Sequence, residues 1–180
     1  MALFKRSQTA GKRITFTGSL KNGPSFSDGM LFPRSHEGRS GWTIGQIMTT
    51  VPSPALDTLP HIVLLHAGTN DIYAHASAPV MADALEALID RLEHAAPQSL
   101  IVVAEIVPLT DPALRIAAEN FNKELKRRVQ APQARGQHLI LADQFTQFST
   151  EMLSDGVHPT QAGHERMANV WYAAIIPYLR

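Results

Sequence analysis

The sequence contains no cysteine. That excludes a disulfide scaffold, a zinc–thiolate site and a thiol nucleophile. It also lacks an excess of either charge, with 16 Lys and Arg against 16 Asp and Glu. A balanced chain does not carry the positive field that draws nucleic acid or an anionic membrane surface, so neither is expected as a partner. The one basic cluster, Lys123, Lys126, Arg127 and Arg128, falls in a predicted helix and is expected to be a solvated face. No apolar run reaches the roughly 18 residues that a membrane-spanning helix needs. Met1–Lys12 is polar and basic, without the apolar stretch of a signal peptide. Internal repeats, low-complexity tracts and linkers are also missing, so residues 1–180 are expected to form a single domain.

What is present is an alternation of short apolar runs and amphipathic stretches. Arg13–Thr17, His61–His66, Leu100–Ile106 and Leu139–Ala142 are predicted strands. The run Ile62-Val63-Leu64-Leu65 has the continuous apolar character of a strand buried on both faces. Pro79–Ala95 is a predicted helix, with Met81, Leu85, Leu88, Ile89 and Leu92 as its apolar stripe. Pro112–Gln130 is a second, with Leu114, Ala118, Phe121, Leu125 and Val129 on one face. Thr160–Leu179 is the last, with Met167, Trp171, Ala174, Ile175 and Tyr178 expected to face inward. Trp42–Thr49 suits a short helix, and Asn22–Ser40 is expected to be loop. Strands alternating with helices imply an α/β protein of three layers, α/β/α, around a mostly parallel, flavodoxin-like sheet. Such sheets bind ligands beyond the carboxyl ends of their strands, so the residues just after each strand are the ones to inspect.

Two of these exits carry chemistry. After His66 comes Ala67-Gly68-Thr69-Asn70-Asp71, in which Gly68 permits a sharp turn and Asn70 presents an amide at the ligand edge. A fixed amide N–H suits an oxyanion developing on a carbonyl; Asn and Asp are equally at home in an ordinary turn before a helix. Before the last helix comes Asp155-Gly156-Val157-His158-Pro159. An Asp and a His three apart can meet across a turn. The carboxylate then holds the imidazole through Nδ1 and leaves Nε2 free as a base. The plainer alternative is a helix-entry loop with a surface histidine.

Together, and in this order, these segments resemble the SGNH/GDSL hydrolases. Gly68-Thr69-Asn70-Asp71 resembles the family's Gly-x-Asn-Asp block, and Asp155-x-x-His158 its Asp-x-x-His block. His36-Glu37-Gly38-Arg39-Ser40-Gly41-Trp42-Thr43-Ile44 is similar to the glycine block of the branch related to acetylxylan and carbohydrate esterases, as is the continuation Asp155–Trp171. The resemblance implies a serine ester hydrolase of the SGNH-hydrolase fold, deacetylating carbohydrate or other small acyl esters without metal or cofactor. It implies that His158 is general base and then acid, and that Asp155 orients it. Gly41, through its backbone N–H, and Asn70, through its amide, would form the oxyanion hole.

The resemblance breaks at the nucleophile. The family's first block is Gly-Asp-Ser after the first strand, and no Gly-Asp-Ser occurs here. Either Gly18-Ser19 is a degenerate first block and Ser19 attacks, or Arg13–Thr17 is the family's second strand and the serine lies upstream of Met1. Spacing favours the second reading, because the sequence between Ser19 and Gly41 is loop-like and fits no helix of the kind that separates serine from glycine block in the family. The first strand is then expected to be missing. The sheet is expected to be marginal as a monomer, or completed by another chain, a homo-oligomer included, or by rearranged pairing. The rival functions are a non-catalytic remnant that binds carbohydrate or a protein partner, and a nucleotide binder using Gly18-Ser19 as a phosphate loop, for which no Gly-rich fingerprint is present.

Six other side chains are open at this level. His36 and Glu37 lack a spaced third metal ligand. His66 is expected to be either core or pocket wall. Trp42 is expected to pack, with Tyr73 undecided between packing and stacking on a sugar. Glu105 has no evident partner.

Overall fold

Three apolar runs build the sheet. The computed structural model describes residues 1–130 and 138–179. Its elements in chain order begin with α1 (Ala2–Thr9), β1 (Leu20–Lys21), β2 (Phe26–Ser27), β3 (Met30–Leu31), β4 (Ser35–His36) and α2 (Ile44–Met48). They continue with β5 (Ile62–Leu65), α3 (Thr69–Tyr73), α4 (Ala78–Ala95), β6 (Leu100–Ala104), α5 (Pro112–Gln130), β7 (Leu139–Ala142) and α6 (Gln161–Ile175). Single 3₁₀ turns stand at Thr150–Met152 and Ile176–Tyr178.

β5, β6 and β7 pair in parallel, in that order, with Leu64 opposite Val102 and Val102 opposite Ile140. All five residues of β6 are buried. Alternation along the strand divides them between two cores. Ile101 and Val103 pack with Leu85, Leu88 and Phe121 of α4 and α5. Leu100, Val102 and Ala104 pack with Leu3 of α1 and with Trp171, Tyr172 and Ile175 of α6. The sheet is therefore the middle of three layers, as the alternation of runs implied. No helix among the described residues is long and apolar enough to cross a membrane.

Several local expectations are corrected. Arg13–Thr17 is not a strand: among the described residues it has no ladder partner. Ile14 and Phe16 still pack partly against the α1/α6 core, so the alternation governs burial but not pairing. The stretch from Asn22 to Ser40 is more than loop. β1 pairs antiparallel with β4, and β2 with β3, to make a short arm. Tyr178 is half exposed rather than inward, because α6 gives way to a 3₁₀ turn after Ile175. The basic cluster on α5 is not merely solvated, since Lys126 pairs with Glu105 and Arg128 with Asp83 and Glu86.

A cleft lies beside the sheet. It has a volume of about 1140 Å³ and runs between the Arg13–Thr17 segment and the free edge of β5. Three of the four residues of β5 are only half buried, whereas β6 is buried throughout. Among the described residues β6 is paired on both sides and β5 on one.

Candidate active site

The oxyanion candidates are held by a contact between two loops. Gly68, at φ +124°, turns the chain out of β5; a Cβ there would lie 2.9 Å from Ile106 Cδ1 and 3.0 Å from Phe121 Cε1. The residue must therefore be glycine on grounds of both backbone and space. The turn opens α3, and Asn70 Nδ2 donates to the Trp42 carbonyl at 2.9 Å. That uses one amide hydrogen and directs the other. Asp71 is buried and accepts the Ile44 N–H at 3.0 Å. Burial raises its carboxyl pKa, and the Ile44 N–H opposes that rise. α2 is closed by a reciprocal cap, Thr43 Oγ1 accepting from Gln46 N–H while Gln46 Oε1 accepts from Thr43 N–H. Gly41 lies just before this cap, exposed, with φ +79°. Gly41 and Asn70 are thus on adjoining segments.

The Asp–His pair forms as the spacing suggested. His158 Nδ1 lies 2.7 Å from Asp155 Oδ2. Asp155 Oδ1 accepts the N–H groups of Val157 and His158 at 3.0 and 2.8 Å. These backbone donors, then the imidazole, hold the Asp155 carboxyl down at about 2. Both side chains are largely exposed, so the pair is available to a ligand. The loop is nevertheless pinned. Gly156, at φ +88°, accepts the Thr110 N–H through its carbonyl at 3.0 Å, and Ser154 N–H and Oγ both donate to the His158 carbonyl. Thr110 lies beyond β6, whose exit is fixed by the buried Asn122 amide bonding both N–H and C=O of Ile106 at 2.9 Å. Both candidate halves therefore sit at the carboxyl edge of one parallel sheet, Asn70 beyond β5 and His158 against the segment beyond β6.

Ser19 is engaged elsewhere. Its N–H and Oγ donate to Glu37 at 2.8 and 3.1 Å, and its Oγ accepts from Arg39 at 3.1 Å. Arg39 also forms an ion pair with Glu37 and covers the Trp42 ring at 4.9 Å. Burial alone would raise the Glu37 pKa; the Ser19 and Arg39 hydrogen bonds outweigh it and lower it. Among the described residues no hydrogen bond joins Ser19 to His158. Gly18 is required for a different reason than phosphate binding: its missing Cβ would overlap the His36 carbonyl carbon at 2.2 Å. Glu37 spends its carboxylate within this network rather than with His36.

Glu105 does have a partner, which sequence reading missed. It is fully buried and pairs with Lys126 Nζ at 2.8 Å. Burial raises its carboxyl to about 7 despite Lys126, helped by the neighbouring Asp143 carboxylate. Asp143 is itself lowered to about 2, burial being outweighed by hydrogen bonds from Thr146, Glu105 and Phe145. The Glu105–Lys126 link crosses from the residue just after β6 to α5, so no local sequence signal marks it. His66 is exposed towards the cleft and helps to line it; the protein around its ring still lowers the imidazole pKa, with the Glu105 carbonyl opposing. Trp42 is half buried and Tyr73 is exposed.

The model of the GDSL-like lipase/acylhydrolase family matches residues 16–166. The chain belongs to that family. Its fold is the SGNH-hydrolase fold, shared with solved carbohydrate esterases. The family 3 carbohydrate esterase of Clostridium thermocellum is 30% identical, with a TM-score of 0.84 over 98% of this chain and 84% of that one. The family 3 carbohydrate esterase of Talaromyces cellulolyticus is 25% identical, with a TM-score of 0.84 over 98% and 88%. An acetyl esterase serine-to-alanine mutant holding an acetate ion is 26% identical, with a TM-score of 0.85 over 98% and 88%. In sequence, an endoglucanase-named protein of Acetivibrio thermocellus is 28% identical over 125 residues. Those residues span 67% of this GDSL-like chain and about half, 52%, of that protein.

Proposed function

We propose that this chain serves the hydrolysis of acetyl esters on carbohydrate, through His158, Asp155, Asn70 and Gly41. The observation that carries the reading is the 2.7 Å contact of His158 Nδ1 with Asp155, which leaves Nε2 to face solvent as a base. In this mechanism His158 takes the proton of a serine hydroxyl as its oxygen bonds to the ester carbonyl carbon. The carbonyl oxygen becomes an oxyanion, met by the Asn70 amide and the Gly41 N–H. Collapse expels the alcohol, which receives the proton from His158. Water then attacks the acyl-serine with His158 again as base, releasing acetate and restoring the hydroxyl. Asp155 stays ionised throughout and stabilises the imidazolium.

The serine is the open element. Ser19 can serve only by leaving Glu37 and Arg39. A second reading, a carbohydrate or protein binder without turnover, draws support from that engagement. The test is fluorophosphonate labelling with peptide mapping, beside acetate release and calorimetry on acetylated and plain xylo-oligosaccharides. Ester hydrolysis that falls with His158→Ala and Asn70→Ala supports the proposal. An adduct on Ser19 with turnover assigns the nucleophile to that residue. Hydrolysis unchanged by His158→Ala refutes the mechanism, and saccharide binding with no acetate released supports the second reading.

A further inference from the structure

The segment between β4 and α2 carries one oxyanion candidate, Gly41, and the carbonyl that holds the other. Yet residues 37–43 form no helix or strand of their own. What fixes them begins on the arm. β1 pairs with β4 so that Leu20 stands opposite His36. That register brings Ser19 alongside Glu37, across a gap at Gly18 too narrow for a side chain. Ser19 N–H and Oγ donate to the two Glu37 oxygens. The carboxylate then accepts from Arg39 Nε at 3.1 Å and from a terminal nitrogen of the same guanidinium. That nitrogen also donates to Ser19 Oγ.

These bonds aim the guanidinium at the Trp42 ring, 4.9 Å from its centroid. The Arg39 and Glu37 side chains are 19% and 21% exposed, whereas Arg127, paired with Glu124 on α5, is 67% exposed. A solvated pair of the second kind holds little in place. A guanidinium bonded in its plane and stacked on an indole is far more confined. Trp42 is also where the two oxyanion candidates meet. Its carbonyl accepts the Asn70 amide at 2.9 Å. Its N–H donates to the Arg39 carbonyl at 3.4 Å, closing a turn whose third residue is Gly41 at φ +79°. This is a type II turn, in which the third position requires a positive φ. The Gly41 N–H belongs to the central peptide of that turn, and among the described residues it has no acceptor. Its direction therefore depends on the turn, and the direction of the second Asn70 amide hydrogen depends on the Trp42 carbonyl.

We infer that Arg39 is a positioning residue for the oxyanion hole: stacked on Trp42 and anchored by Glu37 and Ser19, it sets the direction of both the Gly41 N–H and the Asn70 amide. Its backbone carbonyl closes the turn and its side chain clamps the ring at the turn's far end, so one residue holds Trp42 from two sides. Its part in turnover rests on the ester-hydrolysis reading above; its hold on the two donors stands by itself. The kinetic signature is specific. Negative charge gathers on the carbonyl oxygen only as that carbon becomes tetrahedral, so misdirected donors lower kcat and leave KM almost unchanged. A residue that bound the sugar directly would do the reverse.

The test compares Arg39→Ala, Arg39→Lys and Glu37→Gln with the natural full chain, with Arg127→Ala as the control for loss of a solvated pair. Proton–nitrogen NMR reads the Gly41 N–H and the two Asn70 amide hydrogens, and acetyl ester assays give kcat and KM. Arg39→Ala is expected to shift the Gly41 resonance and to bring the two Asn70 hydrogens towards equivalence, while Arg127→Ala moves neither. Arg39→Lys keeps the charge without the planar stack and should restore only part of the natural spectrum. Glu37→Gln should move the same resonances in the same direction. Should Arg39→Ala fail to fold, these two variants carry the comparison. In turnover, Arg39→Ala should lower kcat by about tenfold to a hundredfold, short of the loss of a donor itself, with KM within about twofold. Unmoved Gly41 and Asn70 resonances overturn the inference. So does a rise in KM at unchanged kcat, which would make Arg39 a substrate-binding residue. Moved resonances in a chain that releases no acetate uphold the positioning and count against the ester-hydrolysis reading alone.

Discussion

Asp71 reaches across from the turn after β5 to accept the backbone N–H of Ile44 at 3.0 Å. This single bond, with Asn70 donating to Trp42 beside it, ties the two segments that carry the oxyanion candidates. Removing the carboxylate leaves the buried Ile44 N–H without an acceptor, at a cost of about 1–3 kcal/mol. Asp71→Ala is expected to lower the urea midpoint accordingly. It is also expected to weaken any ester hydrolysis through loss of alignment, while Asp71→Asn retains more of both. Denaturation curves beside acetyl ester assays would show it; an unchanged midpoint in Asp71→Ala would mean that the bond does not hold the loops.

Asp155 and His158 should fail together. In Asp155→Asn the tautomer is no longer set, and turnover is expected to fall by on the order of 10³–10⁴, close to the loss in His158→Ala. The double variant should lose little more than either single one. Additive losses in that cycle would show that the two act independently.

The acid limit also follows from this pair. A depressed carboxyl contributes to the ordered loop above its unfolded value of 3.8, and that contribution is lost as pH falls through about 2. Carbon NMR of the Asp155 carboxyl should therefore show ionisation persisting below pH 3. A midpoint at the ordinary value would mean that the backbone and imidazole contacts are absent in solution.

Glu105 should make stability depend on pH in the opposite sense. Its folded pKa of about 7 lies above the unfolded 4.5, so the folded state binds a proton that the unfolded state has released. Stability is then full below 4.5 and is lost as pH rises towards 7, by on the order of 3 kcal/mol at most. Glu105→Gln keeps the shape without the charge. Relative to the natural chain it should gain stability between pH 5 and pH 8 by chemical denaturation. A difference that does not vary with pH would place the titration elsewhere.

Gly68→Ala tests the turn itself. The added methyl meets Ile106 and Phe121 at about 3 Å, on backbone at φ +124°. Overpacking of this kind costs about 1–3 kcal/mol. The variant should melt earlier and shift the Asn70 amide resonances; Gly29→Ala, strained at φ +77° but with open space around it, should leave those resonances unmoved. Undisturbed Asn70 resonances would show that the core yields without moving the turn.

The sequence alone was enough for features that depend on near neighbours. The runs at Ile62–Leu65, Leu100–Ala104 and Leu139–Ala142 are strands because continuous apolar residues of that length suit a covered sheet, and α4, α5 and α6 follow from their stripes. The Asp155–His158 contact was legible because it closes within three residues. Pairing between distant segments was not. Arg13–Thr17 has a strand's alternation, yet a strand also needs a neighbour, and alternation carries no information about whether one is there. Ser19 looks like any serine after a strand until Glu37 and Arg39 come up from 18 and 20 residues away and occupy it. Glu105 looked unpartnered until Lys126 arrived from the next helix. Local pattern therefore determined the layers, the sheet and the Asp–His pair. Only the tertiary structure decided which edges pair, which carboxylates are shared and where a cleft is left open, because those are contacts between segments whose separation in sequence says nothing of their distance in space.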